Sequence, residues 1–200
     1  MSSTTVEAGL PRGGRGPLEI CVFCGAGRCN SPSIVAAARA TGSLIGRRGH
    51  RLLYGGGGSG LMGEVAWAAA EHGASIRGVI PHFLYERERA IAAPAQELHL
   101  TDTLLKRKEH MLRSADVFLA LPGGFGTLDE ILEVISATYL GVHAKPMIIV
   151  NPDGVWDGFI ALVETLAGLD LITSPTPVFH TADSPEEAMA LAERLTLPVA

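Results

Sequence analysis

Val117-Phe118-Leu119-Ala120-Leu121-Pro122-Gly123-Gly124-Phe125-Gly126-Thr127-Leu128-Asp129-Glu130 passes from an unbroken apolar run, through a glycine turn, into an amphipathic segment. An apolar run without polar alternation suits a strand, Val117–Leu121, covered on both faces. Helical spacing from Leu128 to Leu140 predicts the helix behind it. The same alternation runs outward in both directions. Strands are expected at Glu19–Cys24, Arg51–Tyr54, Ser75–Ile80, Glu97–Leu100, Met147–Val150 and Pro177–Phe179. Helices are expected at Pro32–Arg48, Gly60–His72, Asp102–Arg113, Trp156–Leu166 and Pro185–Leu195, the last opened by the cap Ser184-Pro185-Glu186-Glu187. Repeated strand–helix alternation gives an α/β fold with a doubly wound, mainly parallel sheet and helices on both faces.

With 200 residues, 47% hydrophobic and 18% charged, the chain suffices for one domain over residues 18–200. Residues 1–17, rich in Ser, Thr, Gly, Pro and Arg and without an apolar segment, read as a disordered N-terminal tail and not a secretory leader. A net charge of −5 gives no basic footprint, so nucleic acid is not an expected partner. No apolar stretch approaches the roughly 18 residues of a membrane span, and a cytoplasmic address is expected. Three cysteines build no disulfide framework. Cys21 and Cys24, three apart on a strand, point to opposite faces, which suits buried free thiols better than a shared metal. Among seven histidines there is no H-E-x-x-H pattern, and no metal site is expected.

In such a sheet the ligand lies beyond the carboxyl ends of the strands. Three strand ends are glycine-rich: 24–27, 54–60 and 121–127. The last two run into helices, where backbone N–H groups and the helix dipole favour a phosphate. Gly55, Gly57 and Gly60 satisfy G-x-G-x-x-G, but the acidic residue expected about 20 positions on is missing, since the next strand ends Gly78-Val79-Ile80-Pro81. Leu61 after Gly60 rules out the lysine of a P-loop. A phosphorylated small molecule other than a dinucleotide is the expected guest.

At about 100° per residue from Leu104, Lys108 falls within the arc of Leu105, Met111 and Leu112, and Arg107 falls at its edge. An inward cation needs an anion, so Lys108 is read either as a structural ion pair or as a phosphate contact. Thr127-x-x-Glu130 is open in the same way. It can be a capping box, or Asp129, Glu130 and Glu133 can address a sugar or an oxocarbenium-like transition state next to the bound phosphate.

Pro122-Gly123-Gly124-Phe125-Gly126-Thr127-Leu128-Asp129-Glu130 resembles the P-G-G-x-G-T-x-x-E signature of the Lonely Guy family, cytokinin riboside 5′-monophosphate phosphoribohydrolases often mislabelled as lysine decarboxylases. Val22–Gly25, Tyr54–Gly57, Gly60–Gly63, Gly78–Pro81, Arg107-Lys108 and Leu140–His143 with Lys145-Pro146 extend the likeness across about residues 20–184. The resemblance implies a Rossmann-like homodimer that hydrolyses the N-glycosidic bond of a nucleoside 5′-monophosphate, giving free base and ribose 5-phosphate without metal or cofactor. By position it implies that Arg107 and Glu130 are catalytic. It implies substrate contacts at Glu88, Lys108, Gly123, Gly124, Phe125, Gly126, Thr127, Asp129 and Ser136. Two departures bear on the base: Ala26-Gly27 replaces the second half of the usual C-G-S-S, and Leu104-Leu105 replaces Met-His before x-R-K. The alternative is a non-catalytic carrier of a phosphorylated molecule, since the fold also resembles that of molybdenum-cofactor carriers.

Overall fold

A computed structural model describes residues 16–173 and 177–197. All but the last two residues of the expected N-terminal tail lie outside them. Seven strands form one parallel sheet: β1 (Glu19–Phe23), β2 (Arg51–Tyr54), β3 (Ile76–Pro81), β4 (Glu97–Thr101), β5 (Val117–Ala120), β6 (Met147–Val150) and β7 (His180–Ala182). Their order is β4-β3-β2-β1-β5-β6-β7. The chain winds outward from β1 in one direction and from β5 in the other. The switch point is therefore between β1 and β5, whose register pairs Val22 with Leu119 and Phe23 with Ala120. A crevice opens there at the carboxyl ends of the strands.

The helices are α1 (Pro32–Arg47), α2 (Gly60–Glu71), α3 (His82–Glu88), α4 (Leu104–Ser114), α5 (Phe125–Tyr139), α6 (Asp157–Gly168) and α7 (Pro185–Leu195). The period-two alternation of β1 divides the core. Ile20, Val22 and Cys24 pack with α1, α2 and α7 through Ala38, Ile45, Val65 and Met189. Cys21 and Phe23 pack on the other face with α4, α5 and Trp156. The two thiols thus lie in opposite layers, and all three cysteines are free. Among the described residues no helix is long and apolar enough to cross a membrane.

Three local expectations need correction, and one helix was not expected at all. The last strand is His180–Ala182, not Pro177–Phe179, because β6 pairs with it from Ile148↔His180 onward. The segment after Gly78–Pro81 is helical; α3 buries no side chain and so carries no apolar period for a sequence reading to detect. The apolar arc of α4 buries only Met111, while Leu104 and Leu105 are exposed. Most consequentially, α5 begins at Phe125 with Gly124 as its N-cap, so Thr127 is in the first turn and the capping box Thr127-x-x-Glu130 does not form. At α7 the cap does form: Ser184 accepts from the Glu187 N–H at 3.2 Å, and Glu187 reaches back to accept from the Asp183 N–H, one residue before the cap, at 2.9 Å.

Candidate active site

A cavity of about 480 Å³ occupies the switch point. Its walls come from the loop after β1 (Cys24–Cys29), Gly55 and Met62, α3 (Leu84, Arg87, Glu88), Arg107 of α4, and the opening of α5. The loop after β1 is fixed against that opening: the Gly25 N–H donates to the Pro122 carbonyl at 3.1 Å. A Cβ on Gly123 would collide with the Thr127 side chain, so the turn closes only with glycine there. Gly124 and Gly126 differ, since nothing lies opposite their missing Cβ atoms. Both border the cavity, and glycine at these two positions leaves the first turn of α5 open to close approach by a ligand. Among the described residues no side chain caps this helix. Its N-terminal N–H groups and dipole therefore face the cavity as an anion-binding end.

The second glycine turn does something else. The Leu61 N–H of α2 donates to the Gly25 carbonyl at 2.9 Å, so that helix start is already engaged. Gly60 has φ +57° and lies against the Ala26 and Gly27 carbonyls, a left-handed position with no room for a side chain. Of residues 55–60 only Gly55 borders the cavity. A Cβ there would strike the Arg107 guanidinium and the Met62 sulfur, so Gly55 is the gap through which Arg107 reaches the site.

Arg107 and Glu130, from α4 and α5, meet at the cavity wall with Nη2 to Oε1 at 3.0 Å. Glu130 is only 8% exposed. Burial pushes its carboxyl up to about 7, against the opposing pull of Arg107 and with a smaller push from Asp129. The Nε of Arg107 is buried without a hydrogen-bond partner. Cys24 also borders the cavity, but burial and the neighbouring Glu130 raise its thiol, which remains neutral at physiological pH. The site thus offers a carboxyl poised near neutrality, a guanidinium that orients it, and an open helix start.

Glu88, Gly123, Gly124, Gly126 and Thr127, like Arg107 and Glu130, line the cavity. Phe125 is 93% exposed and is not among the lining residues. Lys108 and Asp129 do not line the cavity. Lys108 Nζ bridges Asp129 at 3.0 Å and Glu133 at 2.9 Å, tying α4 to α5. Burial disfavours its charge, but the hydrogen bonds to Glu133 and Asp129 outweigh this and raise its pKa. Ser136 is exposed far down α5, roughly 18 Å from the cap at 1.5 Å per residue. Two charged cavity residues were not singled out by sequence reading: Arg28, whose only signal is a cation directly after a glycine turn at a strand end, and Arg87, on the helix without an apolar period.

The buried carboxyl makes a testable stability signature. Its proton is released near 4.5 in the unfolded chain and near 7 in the folded one, so the folded state holds the extra proton between these values. Stabilisation by the neutral form is complete below about 4.5 and is lost as the pH rises to about 7. At about 1.4 kcal/mol per pKa unit the loss is on the order of 3 kcal/mol. Glu130→Gln has no such proton to release. Denaturant unfolding at pH 5 and pH 8 should show the variant gaining up to this amount on wild type at the higher pH; parallel profiles would contradict the assignment.

Comparison with known proteins agrees with the geometry. The family profile described as "Possible lysine decarboxylase" matches residues 62–192. The chain is 42% identical over 160 residues to a probable cytokinin riboside 5′-monophosphate phosphoribohydrolase of Oryza sativa subsp. japonica, covering 80% of this chain and 69% of that one. It is 41% identical to a cytokinin riboside 5′-monophosphate phosphoribohydrolase of Arabidopsis thaliana, covering 73% and 67%. Among solved structures, a molybdenum cofactor binding protein from Rippkaea orientalis superposes with a TM-score of 0.68 at 24% identity over 92% of this chain and 99% of that one, a likeness of fold. The decarboxylase description finds no support in the cavity. None of the three lysines lines it: Lys106 pairs with Glu109, Lys108 is held as above, and Lys145 donates to the Leu112 and Arg113 carbonyls. A pyridoxal Schiff base would have no lysine to form on. A glycine-turn helix start beside a buried Arg–Glu pair, on a chain about 40% identical to named phosphoribohydrolases over most of its length, places this protein in the Lonely Guy family.

Proposed function

We propose that this protein hydrolyses the N-glycosidic bond of a nucleoside 5′-monophosphate, cytokinin riboside 5′-monophosphate or AMP, to free base and ribose 5-phosphate. The observation that carries this reading is the buried Arg107–Glu130 pair on the wall of a cavity whose neighbouring wall is an uncapped helix start. The 5′-phosphate takes the α5 N-terminus, through the N–H groups of the Gly124–Thr127 turn, and so fixes the sugar. As the C1′–N bond breaks, its electron pair leaves with the base, which takes up a proton from solvent; Glu130 returns one to solvent after the water has added. Glu130 in its ionised form stabilises the oxocarbenium-like charge and accepts a proton from the water whose oxygen forms the new bond to C1′. Arg107 holds Glu130 in position. Glu88, across the cavity on α3, is the remaining carboxylate for the sugar or base. Hydrolysis of this kind calls on no cofactor.

The test is incubation of purified protein with AMP, CMP, GMP and a cytokinin nucleotide, assaying ribose 5-phosphate and free base. Stoichiometric release of both from at least one nucleotide is expected. Binding without release from any of them would favour a carrier instead.

A homodimer is part of the proposal. Leu132 and Tyr139 of α5, Leu140 just after it, Leu104 and Leu105 of α4, and Leu162 of α6 are exposed large apolar side chains, the material of a partner surface. α6 buries no residue at all. Ser136 is far from its own cavity, so a contact between it and substrate requires a second copy. Light scattering should give twice the chain mass at concentrations where the protein is active, and a monomer mass there would contradict the dimer.

A further inference from the structure

The charges around the cavity are unequally committed. Arg107 is held by Glu130, and Arg87 lies 3.5 Å from Glu88. Glu64, which lines an adjoining depression with Arg28, is taken by Arg39. Lys108 is shared by two carboxylates outside the cavity lining. Three arginines and two glutamates line the cavity, one positive charge in excess, and the cation without a carboxylate partner among the described residues is Arg28. Its backbone is well placed. Gly25, three residues earlier, is bonded to Pro122 on one side and to Leu61 on the other, which sets this loop against the turn opening α5. The Arg28 side chain itself is exposed and unencumbered.

We infer that Arg28 is the side chain that receives the substrate's 5′-phosphate opposite the α5 N-terminus. The inference rests on the reading of this cavity as a nucleotide site and adds a residue to it. A phosphate dianion entering between Glu88 and Glu130 would be repelled unless an uncommitted cation met it, because Arg87 and Arg107 already serve those carboxylates. The helix end supplies roughly half a unit charge and Arg28 a full one, with a planar guanidinium suited to two phosphate oxygens. Lys108 in this arrangement braces α4 against α5.

The test uses Arg28→Gln, Arg28→Lys and, for comparison, Lys108→Met. AMP and ribose 5-phosphate are titrated into each by calorimetry, and turnover is followed with AMP and adenosine. Arg28→Gln should weaken both phosphorylated ligands about 10–100-fold, the range for a charge-assisted pair, while Arg28→Lys recovers part of the loss. The slow rate with adenosine should stay within about twofold, since adenosine brings no phosphate to Arg28. Unchanged ribose 5-phosphate affinity in Arg28→Gln, or equal losses with adenosine and AMP, would overturn the inference. So would Lys108→Met showing the phosphate-specific loss in its place. Wild-type protein that binds AMP but releases no base would end the hydrolase reading, and the affinities of the Arg28 variants would still decide this one.

Discussion

Glu130→Gln is expected to lose on the order of 10²–10⁴ in kcat while remaining folded, equivalent to about 3–5 kcal/mol of transition-state stabilisation. Glutamine keeps the size of the side chain and can still accept from Arg107, so a structural contact survives the change. What disappears is the negative charge. A cap role offers no competing account, because α5 is capped at Gly124 and Glu130 lies in the second turn. With the carboxyl poised near 7, the reactive ionised form grows as pH rises through that value. The wild-type kcat/KM profile should therefore climb to a plateau above about 7, and that limb should vanish in the variant. AMP affinity should hold or improve, since a carboxylate close to bound phosphate has been neutralised. A folded Glu130→Gln protein turning over its best nucleotide within about threefold of wild type would refute the catalytic role.

Removal of the 5′-phosphate from the substrate should be comparably severe. A nucleoside is expected to fall by roughly 10²–10⁴ in kcat/KM relative to its 5′-monophosphate, the sum of losing the helix-end contact and one charge-assisted pair. The phosphate does not take part in bond breaking. Its binding energy serves to seat the ribose against Glu130, and a substrate that cannot be seated should lose kcat as well as affinity. The open N-terminus of α5 is the physical basis: Gly124 and Gly126 have nothing opposite their missing Cβ atoms, so their backbone can be approached closely. Equal kcat/KM for nucleotide and nucleoside would exclude this function for the cavity.

Much of the scaffold was legible because its signals are local. Unbroken runs such as Met147–Val150 suit strands covered on both faces, and their alternation with amphipathic segments leads to a doubly wound sheet with its ligand at the glycine-rich strand ends. The opposite placement of Cys21 and Cys24 follows from strand periodicity alone. Local signals also mislead where two structures share one pattern. Thr127-x-x-Glu130 has the spacing of a capping box, yet the turn accepted Gly124 as cap because Thr127 packs down onto Gly123.

The division of labour among the charged residues was settled only in three dimensions. Arg107 and Lys108 are neighbours in sequence, but successive residues on a helix point about 100° apart. α5 therefore receives them at different carboxylates, Glu130 at the cavity and Asp129 with Glu133 outside its lining. Both glycine turns after β2 and β5 look like phosphate cradles in the chain; the contact of Gly25 with Leu61 closes the first and leaves the second open. Arg28 carries no periodic or motif signal, and the parallel pairing of β1 with β5 at the switch point is what sets it on the cavity wall. Periodicity is a property of neighbouring residues and can be read along the chain, whereas ion pairing depends on which distant carboxylate the packing brings within reach.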